Sequence, residues 1–176
     1  MGINVRIVSE GDIWRLDILI LVTLGTNDKS FVRLIKKIEE LVIQGVIKEE
    51  VVVQSGYTKY ESDYLKIFDL IAMDKFNELM ETCNLLITHG GVGTIISGLK
   101  NGKKVIAVPR LQKYGEHVND HQLQIIENFS EAGYVLAAYD VGELDKALQK
   151  VGDFEAKQYI SNTQQMIRLV KEHIDR

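Results

Sequence analysis

The sequence predicts an α/β fold, a Rossmann-like, doubly wound parallel sheet of about six strands. Two observations predict it. Short aliphatic and β-branched runs alternate with stretches of helical period from residue 18 to about residue 150. Small or polar residues follow several of those runs, as in Leu24-Gly25-Thr26-Asn27-Asp28, Gln54-Ser55-Gly56 and His89-Gly90-Gly91, and open α/β sheets bind ligands at the carboxyl ends of their strands. With 176 residues, 45% of them hydrophobic, the chain holds material for one domain with a substantial core.

The elements follow in order. Residues 1–17 precede the repeating pattern without a matching helix and are expected to be an add-on, an extra strand or a partner-binding arm. The first strand is predicted over 18–23. A helix follows over 31–43, where Phe31, Leu34, Ile35, Ile38, Leu41 and Val42 recur at helical spacing. Strands are predicted over 50–54, 68–72, 84–88, 104–108 and 134–137, with helices over 75–82, 92–99, 118–129 and 141–150. The segment 154–174, carrying Ile160, Met166, Ile167, Leu169, Val170 and Ile174, reads as a charged amphipathic helix that packs on the domain or on a partner. The division is therefore an extension (1–17), a ligand-binding domain (18–150) and a C-terminal amphipathic helix (151–176).

Composition excludes several classes. A formal charge of −4 and the lack of a basic run argue against nucleic-acid binding. The apolar stretch 18–24 is far short of the ~20 residues that span a bilayer. The opening MGINVRIVSEGDIWRLD has neither the apolar core nor the ending of a signal peptide. A single cysteine, Cys83, excludes an internal disulfide and a cysteine-based zinc cluster, fits a reducing cytosol, and reads as a small core residue. GGVGT lacks the lysine of a Walker A loop, LGTND after the first strand is no dinucleotide fingerprint, and no GxSxG elbow occurs.

The most informative stretch is LLITHGGVGTIISGL, residues 85–99. A buried strand leads into Gly90, Gly91 and Gly93, which let a ligand approach the backbone, and then into a helix whose N-terminal N–H groups and dipole favour a phosphate. Glycines alone serve close packing equally well, but His89 and Thr94 beside them can both donate to a phosphate. Gly25, Thr26 and Asn27 suit a second wall for a diphosphate, although Thr26, Asn27 or Asp28 can equally cap the next helix. Asp74 reads as an N-cap beside Met73, whose backbone edge can pair with a base. After Val108-Pro109-Arg110 comes a loop dense in Lys113, Tyr114, Glu116, His117, Asn119, Asp120, His121 and Gln122, the equipment a hydroxyl-rich sugar requires. His117 and His121 lie four apart, but with no third ligand evident no metal site is assigned.

As an ordered set, LVTLGT, ITHGGVGT and VPR followed by EHVNDHQ resemble the nucleotide-sugar-binding, C-terminal half of two-domain inverting glycosyltransferases of the GT-B type. The resemblance is to the glycosyltransferase family 28 C-terminal domain, including the stand-alone PssE-like subunits of bacterial polysaccharide synthesis and the catalytic subunit of the dolichol-linked N-acetylglucosaminyltransferase. It covers residues 18 to about 150 and implies a UDP-sugar donor. His89, Gly90, Gly91, Gly93 and Thr94 match the turn that holds the donor diphosphate, and Gly25, Thr26 and Asn27 match the facing loop. Met73 matches a backbone contact to uracil, while His121 and Gln122 match the pair that grips the donor sugar. Ser97 stands where the wider superfamily has a ribose-binding glutamate, which leaves Glu116 as the alternative carboxylate.

The resemblance further implies a membrane-anchored partner subunit supplying the acceptor site, a lipid-linked saccharide acceptor, and a peripheral location at the inner face of the cytoplasmic membrane. In the bacterial systems it leans toward galactose and toward capsule or exopolysaccharide synthesis. Asp28 is the local candidate for the base, which the partner can also supply, and His89 with Arg110 supplies positive character without a metal or other cofactor. Two rivals stand beside this reading: a non-catalytic UDP-sugar-binding subunit that enhances a separate transferase, and a sugar-nucleotide epimerase or hydrolase.

Overall fold

The computed structural model describes residues 19–160. The N-terminal extension expected over 1–17 and most of the C-terminal helix expected over 151–176 lie outside the described residues. Among the described residues six parallel strands form one sheet in the order β3-β2-β1-β4-β5-β6. They are β1 (Leu19–Thr23), β2 (Glu50–Gln54), β3 (Lys66–Phe68), β4 (Leu85–His89), β5 (Lys104–Val108) and β6 (Leu136–Ala137). Among the described residues five α-helices cross between or follow them: α1 (Val32–Ile43), α2 (Met73–Thr82), α3 (Val92–Lys100), α4 (His121–Glu131) and α5 (Leu144–Lys150). The order reverses between β1 and β4, so a crevice opens at their carboxyl ends, the topological switch point of a doubly wound sheet.

The strands are continuous apolar runs because both faces of the sheet are covered. Alternate side chains separate into two layers. Ile20, Val22, Val51, Val53, Ile87 and Ile106 pack with Leu34, Ile35 and Ile38 of α1 and Leu144 of α5. Leu19, Leu21, Val52, Leu86 and Val105 pack with Leu79 and Met80 of α2, Ile95 and Leu99 of α3 and Ile126 of α4. Register is direct, with Val22 opposite both Val53 of β2 and Ile87 of β4.

Four expectations need correction, the first being Asp74, which lies inside the first turn of α2 while Ala72 holds the N-cap position. The strand predicted over 68–72 lies at Lys66–Phe68, because parallel pairing with β2 sets Lys66 against Val52 and Phe68 against Gln54; the apolar Ile71 is instead buried beside Leu79 and Met80 in the approach to α2. The helix predicted from 118 begins at His121. Asn119 Oδ1 accepts from the His121 N–H at 3.2 Å and lies 3.1 Å from His117 Nδ1, local side-chain bonds that compete with a helical backbone. His117 therefore lies in the loop, which removes the shared helical face on which an HxxxH zinc pair depends. Residues 154–160, expected to open a helix, carry none. Lys157 N–H instead donates to the Gly133 carbonyl at 3.0 Å, and the Tyr159 ring meets Tyr134 edge-on at 5.7 Å.

Candidate functional site

The crevice floor is built from β1 and β4. Thr23, the last residue of β1, and Thr88, the last but one of β4, face each other, their Oγ1 atoms sharing a buried hydrogen bond of 2.8 Å. Thr88 Oγ1 also lies 3.5 Å from Nδ1 of His89. The imidazole fills the gap between the two loops: a β-carbon on Gly25 would fall 2.5 Å from its Cε1, and one on Gly91 would fall on its Nε2. Gly25 has φ +73°, a conformation glycine adopts without cost. Burial, reinforced by the charge of Arg110, pushes His89 down to about 4, against a weaker opposing hydrogen bond to the Thr23 backbone. The ring is neutral at physiological pH and offers one N–H donor.

Above this ring α3 begins. Gly91 occupies its N-cap, and no side chain caps the helix. Ile95 N–H is the first to bond back, to the Gly91 carbonyl at 3.1 Å, so the N–H groups of Val92, Gly93 and Thr94 have no intrahelical acceptor. A β-carbon on Gly93 would meet nothing within 4 Å. Uncapped amides at a helix N-terminus beside an open glycine offer donors of the kind that suit an anion.

The far wall comes from the segment after β5. Gln122 in the first turn of α4 is buried, and its Oε1 accepts the Arg110 N–H at 2.9 Å. Gly90 packs against it, since a β-carbon there would sit 2.7 Å from Gln122 Cβ. His121 is exposed beside it, 3.2 Å from Gln124 Oε1. Met73 is 73% exposed at the start of α2, where its own N–H has no intrahelical acceptor. Thr26, Asn27 and Asp28 are exposed on the β1–α1 loop. Asn27 Oδ1 closes a local turn with the Lys29 N–H at 2.9 Å, and Ser97 lies within α3.

Two residues expected at the ligand wall are used internally. Both Glu116 oxygens pair with Arg33 of α1, at 2.8 and 2.9 Å, and Oε2 also accepts the Leu111 N–H at 3.1 Å. That leaves the carboxylate no face for a ribose. Arg110 is 0% exposed, and its guanidinium donates to the main-chain oxygens of Leu24 and Lys29. Sequence reasoning overlooked Arg33, which stacks on Tyr114 at 3.8 Å, and the Thr23–Thr88 pair. The threonine last in LILVT and last but one in LLITH was the available signal for the pair. Among the described residues no group of three or more His, Cys, Asp or Glu is placed to hold a metal ion. A cavity of about 620 Å³ beside β3 is lined by Lys59, Tyr60, Glu61, Ser62, Asp63 and Asp69; Lys59 pairs with Asp69 at 2.6 Å, and Tyr60 and Ser62 donate to Glu39.

A parallel sheet whose strand order reverses at β1/β4, with an uncapped helix at that crevice, defines a Rossmann-like, doubly wound α/β domain. The family model described as glycosyltransferase family 28 C-terminal domain matches residues 19–176, and the chain belongs to that family. Among curated proteins no sequence match was found. Solved structures share the fold. A glycotransferase of kitacinnamycin aligns with TM-score 0.58 at 19% identity, covering 81% of this chain and 37% of that one, so this chain spans little more than a third of its length. ALG13, solved by NMR, aligns with TM-score 0.56 at 20% identity, covering 86% of this chain and 94% of that one. The UDP-GlcNAc 2-epimerase of Methanocaldococcus jannaschii, solved with UDP-GlcNAc and UDP, aligns with TM-score 0.62 at 14% identity, covering 89% of this chain and 46% of that one. No helix among the described residues is long and apolar enough to cross a membrane.

Proposed function

We propose that this chain is the donor-binding, catalytic subunit of an inverting glycosyltransferase that takes a UDP-sugar and delivers the sugar to a lipid-linked saccharide, with a membrane-anchored partner supplying the acceptor site. The observation that carries the reading is the neutral His89 ring seated between Gly25 and Gly91, directly below the uncapped N-terminus of α3. The diphosphate lies on the amides of Val92, Gly93 and Thr94. His89 donates to it, and Gly25, Thr26 and Asn27 form the facing wall. Uracil meets the backbone at Met73, with ribose near Ser97. Gln122 and His121 face the sugar. In a direct displacement the acceptor hydroxyl loses its proton to a base, attacks the anomeric carbon from the face opposite UDP, and the anomeric C–O bond to the diphosphate breaks. The charge that develops on the departing UDP is met by fixed dipoles and the nearby Arg110 cation, the task a divalent ion performs in other transferases. Asp28, exposed at the rim, is the base unless the partner provides it.

The pathway is polysaccharide synthesis at the inner face of the cytoplasmic membrane, with galactose the first donor sugar to try. The test incubates the purified chain, alone and with its partner, with a panel of UDP-sugars and a membrane extract. Sugar transfer to lipid only with the partner present, abolished in His89→Ala, supports the proposal. UDP-sugar binding that no His89 variant converts into a change of turnover assigns catalysis elsewhere, and consumption of UDP-sugar without acceptor identifies an epimerase or hydrolase.

A further inference from the structure

The β1–α1 loop that faces the diphosphate amides is held from beneath by one side chain. Arg110 leaves the end of β5 fully buried, passes over the Phe31 ring with its guanidinium carbon 5.1 Å from the centroid, and ends under residues 25–28. One terminal nitrogen donates to the Leu24 carbonyl at 2.7 Å, and the other to the Lys29 carbonyl at 2.6 Å. These two oxygens are the two ends of the loop. Among the described residues Arg110 makes no ion pair, and its Nε is buried without a hydrogen-bond partner. The nearest carboxylates, Glu116 and Asp28, act on it only through space. A buried guanidinium is costly unless paired, so a cation spent on two neutral carbonyls is an expensive way to hold a loop unless its charge serves something else.

We infer that Arg110 is the positioning residue of the donor site: it sets the Gly25–Asp28 loop by bridging its ends, and leaves an unpaired positive charge beneath the place where an anionic diphosphate binds. The Arg33–Glu116 pair completes the device. Glu116 lies on the same loop as Arg110 and accepts from the Leu111 N–H, while Arg33 belongs to the helix that the β1–α1 loop enters. The two walls of the crevice are thus tied to each other twice. Planar forked donors suit two diverging carbonyls, and a lysine ammonium reproduces the charge without the fork.

This inference rests on the proposed diphosphate site, so its test has one readout that needs no ligand. Hydrogen exchange of the amides in residues 24–30 is compared in the wild type, Arg110→Lys and Arg110→Met, alongside UDP affinity by calorimetry and thermal unfolding. Loop protection is expected to fall in the order Arg, Lys, Met while the amides of β4 keep theirs. UDP affinity should drop about tenfold or more in Arg110→Met, the cost of ordering a residue or two afresh on binding, with Arg110→Lys between. Should the methionine variant fail to fold, the lysine variant against wild type decides. Wild-type protection over 24–30 in the lysine variant, or protection lost evenly across the sheet, overturns the inference. Failure of the wild type to bind UDP, with the predicted exchange order still seen across the three proteins, refutes the diphosphate reading and leaves the loop-positioning role standing.

Discussion

His89 is a half-buried, largely desolvated and neutral imidazole, and acid should therefore destabilise this protein through it. Folded, the ring titrates at about 4; in the unfolded chain it returns to 6.5. As pH falls below 6.5 the unfolded state takes up the proton first, so the stability His89 contributes is complete above 6.5 and is lost progressively toward 4. At about 1.4 kcal/mol per pH unit, the gap amounts to about 3 kcal/mol over the whole window and about 2 kcal/mol by pH 5. Urea unfolding followed by circular dichroism at pH 7 and pH 5, in wild type and His89→Gln, isolates this contribution, because all other titrating groups are common to both proteins. Wild type should lose about 2 kcal/mol more than the variant between the two pH values. Equal losses would refute the argument that the crevice desolvates the ring. A diphosphate beside His89 favours its protonated form, so UDP binding near pH 5 should take up a proton, visible as a dependence of the calorimetric heat on the buffer's ionisation enthalpy.

The other predictions probe separate contacts. Gly91→Val places side-chain atoms on the His89 ring and should abolish UDP binding, whereas Gly93→Ala, which meets nothing in the protein, should leave thermal stability unchanged while weakening UDP in calorimetry. Gln122→Ala should weaken UDP-sugar more than UDP, and it should also cost about 1 kcal/mol of stability through the Arg110 N–H it leaves unpaired. Glu116→Gln should lower stability by about 2 kcal/mol, since Arg33 loses a partly buried partner, and a double-mutant cycle with Arg33→Met should recover most of that loss. Activity of the partnered enzyme should survive a chelator; complete loss restored by manganese or magnesium would overturn the metal-free mechanism.

Much of this was legible before any coordinates. Strands β1, β2, β4 and β5 are buried on both faces, so their apolar runs were unambiguous, and the turn at His89-Gly90-Gly91 follows directly from one of them. Where reading failed, a tertiary or local polar contact had displaced a pattern. The run Leu70-Ile71-Ala72 looks like strand, but pairing with β2 places the strand earlier and Ile71 packs under α2. Val118 looks like the start of a helix, but Asn119 satisfies the His121 N–H from outside. The roles of Arg110 and Glu116 were not legible at all, because the carbonyls of Leu24 and Lys29 and the guanidinium of Arg33 are 81 or more residues away in sequence. Polar residues in a loop after a strand announce hydrogen bonds, not whether the partner is ligand or protein.

The claim at the centre is that a diphosphate sits on the N-terminus of α3 above His89, and backbone amide NMR tests it residue by residue. Titration with UDP should shift the amides of Gly91, Gly93 and Thr94 downfield together with those of Gly25 and Thr26, and uridine should leave the α3 amides where they are. Shifts concentrated instead beside β3, around Lys59 and Asp69, with Gly93 and Thr94 unmoved at saturation, would contradict the account.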